Sequence, residues 1–304
     1  MTNVTIYENH NISTDATFRN ICSKISDGLA AVGLVKMSDT GTVDWSSESV
    51  TAPTTNTYPR SEMWRFNDEL NTTTPIFIKI SYGRSNGQTL SLLITLGSGT
   101  NGSLTLTGYE PTMIGAFGLN YTNNASYNDS ARRYTLISGD TSGFHLCLSM
   151  DGGGLGGTYP NRGTIVVDRF RNGDGSPSPN GFFINHKNLG GYVGCYTSDR
   201  VSNQGYSQPT NPNVLFPTVV QSGYSQRQRD GSIPVGVHYG LIPSVGIYRS
   251  KMVVSVPKSD LAGLEQFNVN HLGSSRTFLS HGVFDWYWDS AQSEEVTSAQ
   301  WWSD

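Results

Sequence analysis

Between Pro75 and Tyr82, Ile76, Ile78, Ile80 and Tyr82 fall at every second position, with Phe77, Lys79 and Ser81 between them. Successive side chains of a strand point to opposite faces, so this spacing predicts a half-buried β-strand. Pro75 can only open that strand, because proline has no amide hydrogen to give to a ladder. Upstream, Glu62-Met63-Trp64-Arg65-Phe66 alternates charge with large apolar side chains. Met63, Trp64 and Phe66 cannot all share one face, but a sheet buried on both sides would accept them. Downstream, Gly83 to Gly87 supplies turn chemistry, and Leu90 to Leu96 returns as another strand. The stretch from residue 62 to 99 therefore predicts a strand-loop-strand-turn-strand meander.

Composition extends that picture to the rest of the chain. The 304 residues suffice for a large core. Charged residues make up only 14%, against roughly 25% in an average soluble domain. With 20 basic and 24 acidic residues the net charge is -4, so the chain advertises no basic surface for direct nucleic-acid binding. Ser, Thr, Asn and 34 Gly stand where charge is missing, which suits turn-rich β structure and surfaces that become buried between subunits. A hydrophobic content of 36% argues against global disorder. No apolar run approaches the roughly 20 residues of a membrane span, and the first residues lack the basic and apolar regions of a signal peptide.

One helix is expected. Ser13, Thr14 or Asp15 could cap it, and Phe18, Ile21, Cys22, Ile25, Leu29 and Val32 make an apolar stripe that Gly33 ends. Further strands are expected at Tyr134–Ser138 and Phe144–Met150, forming a hairpin, and at Thr164–Phe170. Shorter candidates are Phe182–Ile184, Tyr192–Tyr196, Val214–Val220, Ile233–Ile242 and Lys251–Val256. The expected fold is mainly β: an antiparallel β-sandwich-like body with one amphipathic N-terminal helix and long Gly/Ser/Asn-rich loops. Residues 1–60 would form the helix and a loop packed on the body, 61–285 the β-rich body, and 286–304 an aromatic C-terminal segment.

The blocks WRFND (64–68), PIFIKISYG (75–83) and ITLGSGTNG (94–102), in that order, resemble those of virion structural proteins of tailed bacteriophages. The resemblance covers roughly a third of the chain, with the helix ahead of it. Its motifs are framework residues. It implies membership of a particle, with other virion proteins and copies of the chain as partners, and it supplies no active-site residue.

Motifs that carry chemistry are weak. Gly152 to Gly157 contains a literal GxGxxG, but a dinucleotide site needs a helix directly after it. Pro160 and Gly163 oppose one there, and the run reads as a Gly-rich loop. Cys22, Cys147 and Cys195 show no CxxC spacing and read as buried free thiols. The histidines show no HxxxH, HxH or HExxH pattern, and each reads as structural. Asp168, Asn172 and Asp174 lack the closing glutamate of a calcium loop, so a turn is preferred. Paired carboxylates for sugar cleavage could be drawn from Asp140, Asp151 or Asp168, a pattern with almost no specificity. No GxSxG serine is present. The expectation is a non-enzymatic protein without catalytic residues, cofactor or metal.

Four of the six tryptophans, Trp286, Trp288, Trp301 and Trp302, lie near the C-terminus, where they either dock on their own body or meet a neighbouring subunit. Together with Gly154 and Tyr159 of the 152–163 loop they are the candidate subunit contacts, and the 171–181 segment is a further candidate. The expected role is assembly, in the virion, as a homo-oligomeric ring or network in the tail: a collar, sheath-like layer, baseplate or fibre attachment. A capsid cement protein, or a module making weak contact with host glycans through Gly115–Tyr127 or Tyr196–Tyr224, are the alternatives. A polysaccharide depolymerase comes third.

Overall fold

The computed structural model describes residues 1–7, 12, 14–84, 90–108, 112–116, 132–151, 162–187, 192–197, 236–242, 246–257, 265–280 and 296–303. The strands in chain order are β1 (Thr2–Tyr7), β2 (Val35–Lys36), β3 (Thr57–Arg65), β4 (Phe77–Arg84), β5 (Leu90–Gly97), β6 (Gly99–Thr100), β7 (Leu106–Thr107), β8 (Thr112–Ala116), β9 (Arg132–Asp140) and β10 (Gly143–Asp151). They continue as β11 (Arg162–Arg171), β12 (Pro177–Lys187), β13 (Tyr192–Thr197), β14 (Gly236–Ile242), β15 (Gly246–Pro257), β16 (Gln266–His271), β17 (Ser274–Ser280) and β18 (Val296–Ser303). The one helix among the described residues, α1 (Asp15–Ala31), lies between β1 and β2.

Thr14 caps α1. Its hydroxyl accepts from the Thr17 amide at 3.2 Å while the Thr17 hydroxyl accepts from the Thr14 amide at 3.3 Å, a reciprocal pair that satisfies two otherwise orphaned donors. At the other end Gly33 takes φ +105°, a left-handed conformation that ends the helix without steric cost. The predicted stripe is internal: Phe18, Ile21, Cys22, Ile25 and Leu29 are all fully buried, and α1 packs on β1 and β9.

The meander is present as β3, β4 and β5 in the five-stranded antiparallel sheet β2-β3-β4-β5-β8. Ile78, Ile80 and Tyr82 face the main core with Trp64, Phe66 and the α1 stripe, while Met63 and Phe77 face Leu106 on the other side. That two-sided burial accommodates the three large residues of the EMWRF run. Gly83 is required at its site, since a Cβ there would stand 2.0 Å from the Thr57 carbonyl oxygen, where β3 is bulged against β4.

The larger sheet has eleven strands along the path β1-β9-β10-β11-β15-β18-β17-β16, with β12 on β11, β13 on β12 and β14 on β15. All its pairings are antiparallel. The β9–β10 hairpin closes more tightly than the sequence suggested, with Asp140 opposite Gly143. The segment 171–181, expected as one loop, is shorter: Arg171 ends β11, and Pro177 opens β12 opposite it, beside a bulge at Arg169 to Arg171. Pro177, like any proline, can begin a strand without owing the ladder a hydrogen bond.

Ile137, Phe144, Leu146, Ile165 and Val167 of the larger sheet join the same core as α1 and the small sheet. The fold is thus mainly β and sandwich-like, two antiparallel sheets and one helix around a shared interior. The C-terminal segment from Val296 to Ser303 is an interior strand of that body, paired with β15 on one side and β17 on the other.

Candidate functional site

Three clusters of buried polar side chains among the described residues each contain an ion pair. The first surrounds Glu62 of β3, whose carboxylate is 0% exposed. Alternation along β3 turns Glu62 to the same face as Trp64, into the core. Oε1 accepts from Ser26 Oγ (2.7 Å), Trp45 Nε1 (2.7 Å) and Lys36 Nζ (2.5 Å). Oε2 accepts from Tyr82 Oη (2.7 Å) and Trp64 Nε1 (3.1 Å). A carboxylate has about four lone-pair positions, so these donors leave none for a substrate. Glu62 joins α1, β2, β3, β4 and the 37–56 segment at one point. Burial, and after it the Glu62 charge, push the Cys22 thiol and the Tyr82 phenol well above their ordinary values. Both groups stay neutral and inert near pH 7.

The second cluster joins the two sheets. Arg169 of β11 is 1% exposed, and its guanidinium donates to both carboxylate oxygens of Asp68, at 2.5 and 3.4 Å. Its remaining donors reach the carbonyls of Thr74 (2.8 Å) and Ser178 (3.4 Å). The β3–β4 loop is thereby fixed to β11 and β12, in the planar forked geometry that only arginine provides.

The third lies where the β9–β10 turn meets β11 and β15. Lys251 is 4% exposed, and its Nζ contacts Asp140 Oδ2 and Ser142 Oγ. Ser142 Oγ also accepts from Arg171 Nη2 at 2.6 Å and donates to Asp140 Oδ1 at 2.9 Å. Asp168, fully buried, accepts at Oδ2 from the Ser250 hydroxyl (2.9 Å) and the Lys251 amide (2.8 Å). Two of the carboxylates considered for sugar cleavage, Asp140 and Asp168, thus converge on a lysine inside the fold; Asp151 ends β10.

Burial raises Asp168 to about 6, outweighing the nearby Lys251 and Arg171 charges. Asp140 moves the other way: burial opposes its ionisation, but the Lys251 ammonium and the hydrogen bonds from Lys251 and Ser142 hold it below the ordinary value. The two have opposite consequences for stability. Asp168, protonated in the fold but ionised when unfolded between about pH 4 and 6, favours the folded state most below pH 4 and loses that contribution as pH rises through 6. Asp140 contributes above its unfolded pKa and loses that as pH falls. For the ion-paired cluster, the stability of the native chain relative to Asp168→Asn is expected to fall by about 3 kcal/mol between pH 4 and 7. Urea denaturation of both proteins across that range reads the difference where both carry the Lys251–Asp140 ion pair, so that the titrating groups other than Asp168 largely cancel.

Of the candidate contact residues, Trp301 is 4% exposed in β18. Its ring lies under Arg276 Cζ at 4.6 Å and Lys251 Nζ at 5.5 Å. Trp302, on the opposite face of the strand, packs partly buried against Leu136, Cys147 and Leu279, and its carbonyl accepts from Asn3 Nδ2 at 2.8 Å. Trp286, Trp288, Gly154 and Tyr159 lie outside the described residues, as do the Val214–Val220 strand candidate and nearly all of both glycan-loop candidates.

Cys22 and Cys147 are buried and in no disulfide. Asp174 accepts from the Ser176 amide (3.0 Å) and hydroxyl (2.6 Å), and Asn172 donates to Ser176 Oγ at 2.9 Å, so these two residues build the turn before β12. His271 is buried, with Nε2 3.0 Å from the Ser250 carbonyl. Among the described residues no group of three His, Cys, Asp or Glu side chains is placed to hold a metal, and no helix is long and apolar enough to cross a membrane. No protein-family model, no curated protein and no solved structure matches this chain.

Proposed function

We propose that this chain is a structural component of a tailed-phage virion, acting without catalysis as a homo-oligomeric ring or network in the tail. The observation that carries the reading is the placement of the three sequence blocks that resemble phage virion proteins. WRFND closes β3 and enters the next loop, PIFIKISYG is β4 with its opening proline, and ITLGSGTNG is the end of β5 with β6. They are neighbours in one meander, with Trp64, Phe66, Ile76, Ile78 and Ile80 at most 1% exposed. Shared framework of that kind suits a common building block, whose specificity lies in what the sheets present.

The buried charges favour the same reading. Glu62 and the Asp68–Arg169 pair are held by internal partners and serve the architecture. Association would then proceed through strand edges, loops and apolar faces, with few charges to desolvate when subunits meet. Quantitative mass spectrometry of purified particles tests this. The chain is expected in intact virions at a copy number fitting a tail ring or a repeated tail layer. Its absence from particles sinks the proposal, and a copy number on the scale of the whole capsid transfers it to a decoration role.

A further inference from the structure

The cluster around Lys251 contains more than a salt bridge requires. Its amine and the Asp140 carboxyl are brought into contact from residues 111 positions apart. Asp168, on β11, has an Oδ1 with no hydrogen-bond partner among the described residues although the side chain is fully buried. A buried carboxylate oxygen left unsatisfied is uncommon and calls for a reason. That oxygen lies against Gly143, 2.9 Å from where a Cβ would stand, so it faces the turn that carries Asp140 and Ser142. The Trp301 ring lies 5.5 Å from the Lys251 nitrogen. An amine, a carboxyl acceptor and a second carboxyl beside them are the three groups that amide formation needs.

We propose that Lys251 Nζ and Asp140 Cγ become joined by an intramolecular amide bond inside the folded chain, with Asp168 carrying the protons. The Nζ–Cγ bond forms and the Cγ–Oδ2 bond breaks. Two of the three ammonium protons leave with Oδ2 as water, the third stays on the amide nitrogen, and Asp168 ends as it began. No oxidant or other reactant is consumed. The step needs a neutral amine and a protonated acid, which the ion pair reaches by moving one proton within itself. Burial lowers the Lys251 pKa against the pull of Asp140 and Asp168, and Arg171 adds to that lowering. Asp168, near 6, can both take and return a proton. Holding the reactants in contact supplies an effective concentration of about 10^5 M or more, which opposes hydrolysis by solvent water. The Asp140 side chain is 26% exposed, an exit for the water released. In the bonded form the Asp168 titration moves to higher pH, because the ammonium that drew it down is gone.

This inference is independent of the virion reading. Its test is the intact mass of the purified full-length chain, measured after denaturation. The expected mass is below the sequence mass by one water, and digestion is expected to yield a branched peptide joining Lys251 to Asp140. Lys251→Arg and Asp140→Ala are expected at their full sequence masses, and Asp168→Asn to remain wholly or largely unjoined. A native chain at its full sequence mass, with Lys251 and Asp140 recovered in separate peptides, overturns the proposal. Water loss that persists in Lys251→Arg also overturns it, since a cyclised aspartate would then be its source. Complete joining in Asp168→Asn removes the assigned role of Asp168.

Discussion

Glu62→Gln is expected to destabilise the protein by about 3–5 kcal/mol, the range for breaking a buried charge network at one partner. The side chain keeps its size, so packing is not the cause. An amide nitrogen in place of either carboxylate oxygen turns donor toward donor: toward Trp64 and Tyr82 at one position, or Ser26, Lys36 and Trp45 at the other. The indole N–H at that position, Trp64 or Trp45, is then buried without an acceptor, while the Ser26 and Tyr82 hydroxyls can turn to accept and Lys36 keeps the Val43 carbonyl. Lys36→Met is expected to cost much less, because the Lys36 side chain is 32% exposed and its ion pair is weakened by water. The neutral donors remain around Glu62 in that variant. Urea denaturation of the two proteins separates these effects, and equal losses would mean that the ion pair, not the ring of neutral donors, holds the carboxylate.

Arg169→Met is expected to cost a similar amount, about 3–5 kcal/mol, for a different reason. It leaves Asp68 charged at 0% side-chain exposure and removes the donors of the Thr74 and Ser178 carbonyls. Adding Asp68→Asn to that variant removes the stranded charge, so the double variant is expected to be more stable than Arg169→Met alone. This reversal is the mark of a pair whose joint contribution is smaller than the penalty for losing one member. A double variant less stable than the single one would show that Asp68 matters through contacts other than Arg169.

The main elements were readable from local pattern because local pattern produces them. The alternation at Ile76 to Tyr82, the stripe from Phe18 to Leu29 and the two apolar runs flanking residues 139–143 each report a period that neighbours in sequence must obey. The Glu62 cluster left one legible trace. Glu62 is in phase with Trp64 and Phe66, and a charge in phase with two large apolar residues marks a buried acid. Its partners Ser26, Lys36 and Trp45 come from other elements, so nothing nearby could name them. Asp68 and Arg169 are 101 residues apart, Asp140 and Lys251 111, and such pairs are made by the topology of the sheets alone. The aromatic C-terminus was conspicuous for composition, yet its place between β15 and β17 depends on a long-range pairing that composition does not encode.

Both sheets and α1 share a single core, tied across its elements by buried charges. Native-state amide exchange on the wild type and Glu62→Gln tests it most directly. The most protected amides of β4 and β5 and those of β9, β10 and β11 are expected to open with the same free energy, and Glu62→Gln to lower both sets equally. A loss confined to β4 and β5, with β9 to β11 unchanged, would contradict the claim and divide the body into two independent units.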